Sequence, residues 1–311
     1  MTTKRQKAKQ LWGELRRCEP SDFIEECYLN EELPMSTGIA TLDLALGGGL
    51  QTGICEIMGN PGSSKSALAL CIACHTVANY DQPALYFSLE MNYKQCRYRA
   101  MSWLAATYAD ETGLIPFEWS KPYEYREKHA EGEPDPIIIA SKAFDEVLGS
   151  KLRIIDDVRS ISDIREIVDT LCDGGLKPLV VIDYVQIVDA PDASTEYERI
   201  SEVSRELASL AEEHEIPLLA ISSMNREASK GENKKNGTAS NAMHGGRGSG
   251  QLEFDATIVI RLVRKDNGGV SVTVPKNRKG DVMNTPKTLH FDGKHHVYRY
   301  ASIGSDSKIP I

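Results

Sequence analysis

No apolar run in this chain approaches the roughly 20 residues that a membrane-spanning helix requires. The polar opening Met1-Thr2-Thr3-Lys4-Arg5-Gln6 leads into no apolar signal segment either. Both absences make a soluble, cytoplasmic protein with no membrane partner the expectation. Cysteine is sparse, with seven residues in 311, and an odd number scattered through apolar stretches fits reduced buried thiols rather than a disulfide framework. Cys71 and Cys74 have C-x-x-C spacing, but they sit among Ala and Leu, where core packing is expected. An excess of positive charge is also missing. The net charge of −9 excludes a general nucleic-acid-coating protein and still permits a locally basic channel. There is no internal repeat and no low-complexity tract. With 41% hydrophobic and 26% charged residues, the 311 positions suit one large α/β domain or a core with appendages.

What is present is organised around Ile54 to Ala73: a short apolar strand, then Gly59-Asn60-Pro61-Gly62-Ser63-Ser64-Lys65-Ser66, then a helix rich in Ala and Leu. Strand, phosphate loop and helix in that order make a nucleoside triphosphate site. Backbone N–H groups of such a loop wrap the β-phosphate, the helix N-terminus adds its positive dipole end, and a lysine, here Lys65, reaches the β/γ oxygens. The hydroxyl after the lysine, Ser66, is the expected protein ligand of Mg²⁺, which keeps most of its waters. The pattern G-x-x-x-x-G-K-[ST] fails at one position, because Ser64 stands where the second glycine belongs. Glycine is favoured there because the backbone approaches phosphate closely and adopts dihedrals costly for other residues.

Further along, apolar runs alternate with helical periodicity. Ala84 to Leu89 reads as a buried strand followed by Glu90, and 92–107 as a helix. A carboxylate at the C-terminal end of a strand beside a phosphate loop is placed to activate an attacking water. Residues 110–150 read as an irregular, mostly helical excursion with one long loop. Leu152 to Asp157 reads as a strand, Ile161 to Cys172 as a helix, and Leu179 to Tyr184 as a strongly apolar strand carrying Asp183, which can hold the Mg²⁺ shell. A helix over 197–214 and a strand over Pro217 to Ser222 follow, with strands near 256–263, 270–276 and Thr288 to Phe291 closing the chain. Strands alternating with helices predict a mostly parallel, doubly wound sheet with ligands at the carboxyl ends of its strands.

Residues 226–250 break the rhythm. Arg226, Lys230, Lys234, Lys235 and Arg247 against Glu227 and Glu232 leave a net +3, with six glycines. A flexible basic loop suits gripping a phosphate backbone without reading its sequence, and equally suits a solvated surface loop. Residues 1–33 are polar and helix-prone, with a short stripe of Leu11, Trp12 and Leu15; this arm or linker either packs on its own core or docks on a neighbouring subunit. Residues 34–302 form the expected core domain and 303–311 a tail.

Taken in order, these stretches resemble the RecA-like P-loop ATPase core, and in particular the C-terminal motor domain of DnaB-type replicative helicases. The resemblance covers roughly 35–300 and rests on Phe87-Ser88-Leu89-Glu90-Met91 with Arg99 nine residues after the Glu, and on Val181-Ile182-Asp183-Tyr184-Val185-Gln186. Ser222-Ser223-Met224-Asn225-Arg226, Arg247 to Asp255 and Lys276-Asn277-Arg278 match in order and spacing. The resemblance implies a homo-oligomer, a hexameric ring with ATP at each subunit interface and single-stranded DNA in the channel. It implies Glu90 as catalytic base, Asp183 as metal-shell acid, and Lys276 with Arg278 reaching into the neighbour's site. The loop at 226–250 would contact DNA. Ser223 stands where those helicases usually have Gln, a sensor of the γ-phosphate, which puts coupling rather than binding in question. With residues 1–33 ahead of the core, the expectation is a stand-alone motor of phage or mobile-element kind, without a counterpart of the family's primase-recruiting domain. Read this way the chain is a DNA-dependent, helicase-like ATPase using ATP and Mg²⁺; a RecA-like recombinase or mediator, or an ATP-binding scaffold with little turnover, are the alternatives.

Overall fold

The computed structural model describes residues 33–80, 82–130, 134–224 and 249–300. The chain divides into two units, Met1–Pro34 and Met35–Ile311. The expected N-terminal arm up to residue 32, the basic residues Arg226, Lys230, Lys234, Lys235 and Arg247, and the tail lie outside the described residues.

The second unit is built on a nine-stranded sheet. In chain order the elements are α1 (Ala40–Ala45), β1 (Gly53–Gly59), α2 (Lys65–Tyr80), β2 (Ala84–Ser88), α3 (Tyr93–Thr107), α4 (Ala109–Thr112), α5 (Pro122–Ala130), α6 (Pro136–Val147), β3 (Leu152–Ile155), α7 (Ile161–Asp173), β4 (Leu179–Asp183), a 3₁₀ turn (Val185–Ile187), α8 (Glu196–Glu213), β5 (Pro217–Ser223), α9 (Ser249–Asp255), β6 (Ile258–Arg264), β7 (Gly269–Asn277), β8 (Met283–Asp292) and β9 (Val297–Tyr300). The strand order is β3-β2-β4-β5-β1-β6-β7-β8-β9, parallel from β3 to β6 and antiparallel from β6 to β9.

The apolar runs explain the centre of the sheet. Every residue of β1, β2 and β4 is buried, as expected of parallel strands covered by helices on both faces. One face packs Ile57, Tyr86, Val181 and Leu219 against α2 and α3; the other packs Ile54, Phe87, Ile182 and Leu218 against α7 and α8. Helix starts follow local chemistry. Thr195 and Glu198 form a reciprocal capping box at α8, and Asp135 accepts from the N–H groups of Ile137 and Ile138 at α6, with Pro136 in its first turn. Caps of this kind stabilise a helix by about 1 kcal/mol each.

Two regions depart from the sequence reading. Between 109 and 147 the chain forms three separate helices, α4 to α6. The polar face of α5 gives no apolar periodicity, so only its helical propensity marks it. At the C-terminal end, the single expected strand over Thr288 to Phe291 is a longer β8 paired with an unanticipated β9. Four consecutive residues of β8, Asn284 to Lys287, are exposed and only Leu289 is buried, because the strand lies near the sheet edge, which weakens the hydrophobic signal.

Candidate nucleotide site

The phosphate loop leaves β1 at Gly59, the central position of the sheet. A Cβ at Gly59 would lie 2.5 Å from the carbonyl oxygen of Leu262 on β6 and 2.6 Å from Ser63 Oγ, so glycine is required by close approach. Ser64 has φ of 68°, the left-handed region that favours glycine. The departure noticed in the sequence therefore falls on a residue whose conformation glycine would adopt freely. Two contacts hold it there: Tyr298 on β9 donates to the Ser64 carbonyl at 2.9 Å, and Arg264 at the end of β6 donates to Ser64 Oγ at 3.3 Å. Neither partner was identified in the sequence, because both come from more than 190 residues away.

Lys65 folds back on its own loop, Nζ donating to the carbonyls of Gly59 at 2.9 Å and Asn60 at 3.1 Å. Burial lowers its pKa, while Asp183 and Glu90 act in the opposite direction. Ser66 donates to Asp183 Oδ1 at 3.0 Å, and the Tyr86 hydroxyl donates to Asp183 Oδ2 at 2.7 Å. These bonds cross from the first turn of α2 and from β2 to the end of β4, joining three elements around one carboxylate. Burial raises the Asp183 pKa, and the two hydroxyl donors and Lys65 oppose it. A hydroxyl and a buried carboxylate beside a phosphate loop form a hard-oxygen donor set that fits Mg²⁺, which takes few protein ligands.

Glu90 sits in the short loop between β2 and α3. The Leu89 N–H donates to the Asp183 carbonyl at 2.8 Å, Ser88 Oγ donates to the Met91 carbonyl at 2.6 Å, and Asn92 caps α3. Glu90 itself is exposed and lines the same cavity of about 490 Å³ as Gly62, Ser64, Lys65, Ser66, Asp183 and Ser223. Of the remaining loop residues, Pro61 lines it too, while Asn60 Oδ1 and Ser63 Oγ are buried without a hydrogen-bond partner among the described residues. Arg99 stands across the cavity, its guanidinium 4.3 Å from the centre of the Trp119 ring.

Ser223, at the end of β5, is gripped through its backbone. The Gln186 side-chain amide donates to the Ser223 carbonyl at 3.2 Å and accepts from its N–H at 3.3 Å. Gln186 is fixed in turn by Arg199, which donates to the carbonyls of Gln186 and Val188. The Val181 to Gln186 stretch marked this turn, but not the role of the glutamine.

Lys276 and Arg278 lie elsewhere. Gly59 pairs with Leu262 at the cavity end of β6, whereas Ile258 at its other end pairs with Asn277. Four residues of strand, about 13 Å, separate the two ends. Both cations are engaged at the C-terminus of α9: Lys276 Nζ donates to the carbonyls of Glu253 at 2.5 Å and Phe254 at 2.9 Å, and Arg278 donates to the Phe254 carbonyl at 2.8 Å. Cations on the last carbonyls of a helix also complement its dipole. Burial, then the nearby Arg278, lowers the Lys276 pKa.

A phosphate loop at the end of the central strand, an aspartate at the end of β4 and a glutamate after β2 define a RecA-like P-loop nucleotide triphosphatase fold. The family described as DnaB-like helicase C terminal domain matches residues 34–300, and the chain belongs to it. It is similar to the replicative DNA helicase DnaB of Geobacillus stearothermophilus, 28% identical over 285 residues, covering 84% of this chain and 58% of that protein. A probable replicative DNA helicase of Trieres chinensis is 30% identical over 237 residues, covering 74% of this chain and 47% of that protein. The chain thus spans only part of the length of these relatives. Among solved structures, one described as an ATPase domain shares the fold with a TM-score of 0.71 at 22% identity, covering 97% of this chain and all of that one. A DnaB-like replicative helicase studied with primase gives 0.73 at 23% identity, covering 96% of this chain and 71% of that one. No helix among the described residues is long and apolar enough to cross a membrane.

Proposed function

We propose that this chain is the ATP-hydrolysing motor of a helicase-like homo-oligomeric ring that moves on single-stranded DNA in replication, with nucleotide held between subunits. The observation that carries the reading is the separation of the phosphate loop and its two carboxylates from a second pair of cations at the other end of the same strands. Lys65, Ser66, Glu90 and Asp183 share the cavity, while Lys276 and Arg278 stand at the far end of β6 and β7. One chain cannot bring both groups to one phosphate. A neighbour can.

In this reading the backbone of Gly59 to Ser66 cradles the phosphates and Lys65 leaves its carbonyl partners to meet the β/γ oxygens. Glu90, exposed to water at the cavity wall, orients and deprotonates the attacking water. Ser66 and Asp183 would hold Mg²⁺, which supplies charge neutralisation at the phosphates. Lys276 and Arg278 of one subunit stabilise the charge that develops on the γ-phosphoryl in the next, and Ser223 reports the phosphate to β5. Arg226, Lys230, Lys234, Lys235 and Arg247 grip the DNA backbone, which makes the interaction salt-dependent.

The test is steady-state ATP hydrolysis with and without single-stranded DNA, with Lys65→Ala as blank, at increasing salt. DNA stimulation that fades with salt supports the motor, and an unwinding assay then separates it from a recombinase, which would exchange or anneal strands without unwinding. Nucleotide binding with turnover at the blank overturns the proposal in favour of a scaffold.

A further inference from the structure

Glu56 lies in the middle of β1, the strand that ends in the phosphate loop, and is fully buried. Nothing in the reaction proposed above uses it. A carboxyl in the central strand of a sheet covered on both faces costs stability unless its oxygens are partnered. Ser222 Oγ on β5 donates to Oε1 at 2.5 Å, while Oε2 has no hydrogen-bond partner among the described residues. Burial pushes the Glu56 pKa up to about 8; the Ser222 hydrogen bond opposes that, Glu253 adds to it and Lys276 opposes it.

The register shows what the residue connects. Glu56 is level with Val259 of β6, and Val259 is level with Lys276 of β7. Glu56 and Lys276 therefore share one row, about 10 Å apart across two strand spacings. Glu253 of α9 is buried and acts electrostatically on both, and its carbonyl accepts from Lys276 Nζ. On the other side, Ser222 precedes Ser223, which lines the nucleotide cavity. Ser222 is level with Met58, two residues beyond Glu56, and reaches Glu56 diagonally through its hydroxyl. The succession Ser222, Glu56, Glu253, Lys276 thus runs from the cavity end of β5 to the strand bearing the far-end cations.

We propose that Glu56 is a positioning residue that couples the end of β5 at the nucleotide cavity to Lys276 and Arg278, setting whether those cations stay on the α9 carbonyls or are presented to a neighbouring subunit. The inference rests on the assignment of Lys276 and Arg278 to a neighbour's site. With Glu56 neutral, Lys276 keeps its place at the end of α9. With Glu56 ionised, it attracts Lys276 and repels Glu253, loosening the contact that holds Lys276 back. The charged groups acting on Glu56 are Glu253 from α9 and Lys276 from β7; β5 contributes Ser222, and Cys55 is the titratable neighbour on its own strand. Helix α8, packed on the same strand, contributes the buried hydroxyls of Ser201 and Ser204 to this layer.

Glu56→Gln keeps the shape and the acceptor for Ser222 but cannot ionise, and Ser222→Ala removes only the hydrogen bond. For both, the KM for ATP should stay within about twofold while DNA-stimulated kcat falls about tenfold. The dependence of kcat on pH between about 7 and 9 should flatten in Glu56→Gln alone. Mixing chains reads the coupling directly. A Glu56→Gln chain has an intact phosphate loop, so a Lys65→Ala neighbour with normal cations should restore hydrolysis above the sum of the two variants alone. An unchanged kcat, or no recovery on mixing, overturns the proposal. Arg278→Ala mixed with Lys65→Ala is the parallel arm: if that pair also fails to recover, the neighbour assignment has fallen, and if it recovers while the Glu56→Gln pair does not, only the role of Glu56 has. Binding of a fluorescent ATP analogue shows that Glu56→Gln, Ser222→Ala and Arg278→Ala are folded, circular dichroism and thermal unfolding show it for Lys65→Ala, and should Glu56→Gln not fold, Ser222→Ala carries the same mixing test.

Discussion

Tyr298 donates its phenol to the carbonyl of Ser64 at 2.9 Å, tying β9 to the one non-glycine residue of the phosphate loop with a positive φ. The phenol is buried, and burial raises its pKa, so it stays a donor across the working range. A bond to backbone serves whichever residue stands at position 64. What it secures is the left-handed conformation.

Ser64→Gly should therefore relieve the conformational cost of that φ and raise stability by about 1 kcal/mol, read from thermal or denaturant unfolding. Tyr298→Phe should lower stability by about 1 kcal/mol through the lost hydrogen bond and weaken ATP binding. If ATP binding in Tyr298→Phe is unchanged, β9 does not shape the loop.

Glu90→Gln should bind ATP and lose hydrolysis by about two or more orders of magnitude, the scale of a removed general base. Lys65→Ala should lose binding as well. Equal ATP affinities in the two variants, read by equilibrium binding, would mean that Lys65 makes no contact with the phosphates in the ground state.

Asp183→Asn should separate the metal from the fold. The amide keeps the shape, and Ser66 and Tyr86 lose a charged acceptor, a change of about 1–2 kcal/mol. Mg²⁺ titration of the residual ATPase should shift to higher concentration. A normal Mg²⁺ dependence would remove Asp183 from the metal shell.

Stability should respond to pH from both sides. Burial lowers the His296 pKa to about 3 from its ordinary 6.5, so the folded state binds fewer protons than the unfolded one between those values. Stability is then lost as pH falls below 6.5 toward 3. Glu56 acts oppositely: its pKa is raised from 4.5 to about 8, so stability is lost as pH rises from 4.5 to about 8. His296→Asn, chosen because Asn tolerates the φ of 57° at that position, should flatten the acid slope of the melting temperature, and Glu56→Gln the alkaline one. Unchanged slopes would show that other groups dominate.

The central sheet was legible because continuous apolar runs such as Leu179 to Ile182 have only one comfortable home, a parallel strand covered on both faces. The loop residues, Glu90 and Asp183 were legible because phosphate chemistry fixes their types and spacing. Tyr86, Arg264, Tyr298 and Gln186 were not. Each acts through a bond to a residue far along the chain, and nothing in a Tyr within an apolar strand or an Arg at a strand end announces its partner. Glu56 reads in sequence as a lone charge in a hydrophobic run. Only the register across β1, β6 and β7 puts it level with Lys276. The helices between 109 and 147 were blurred for another reason: α5 has four charged residues among nine and no aliphatic residue larger than Ala130 apart from its leading Pro122, so it has no stripe to count.

The distance along β6 between the phosphate loop and Arg278 gives the molecule a head and a tail. On the proposed assignment every tail must meet another chain's head. A two-fold pair makes that meeting twice within one interface and then stops, whereas succession in one direction makes it once per contact and continues, and a closed ring and an open helix differ merely in whether the rotation returns to its start. Every complete site then belongs to two chains, and a chain alone owns none.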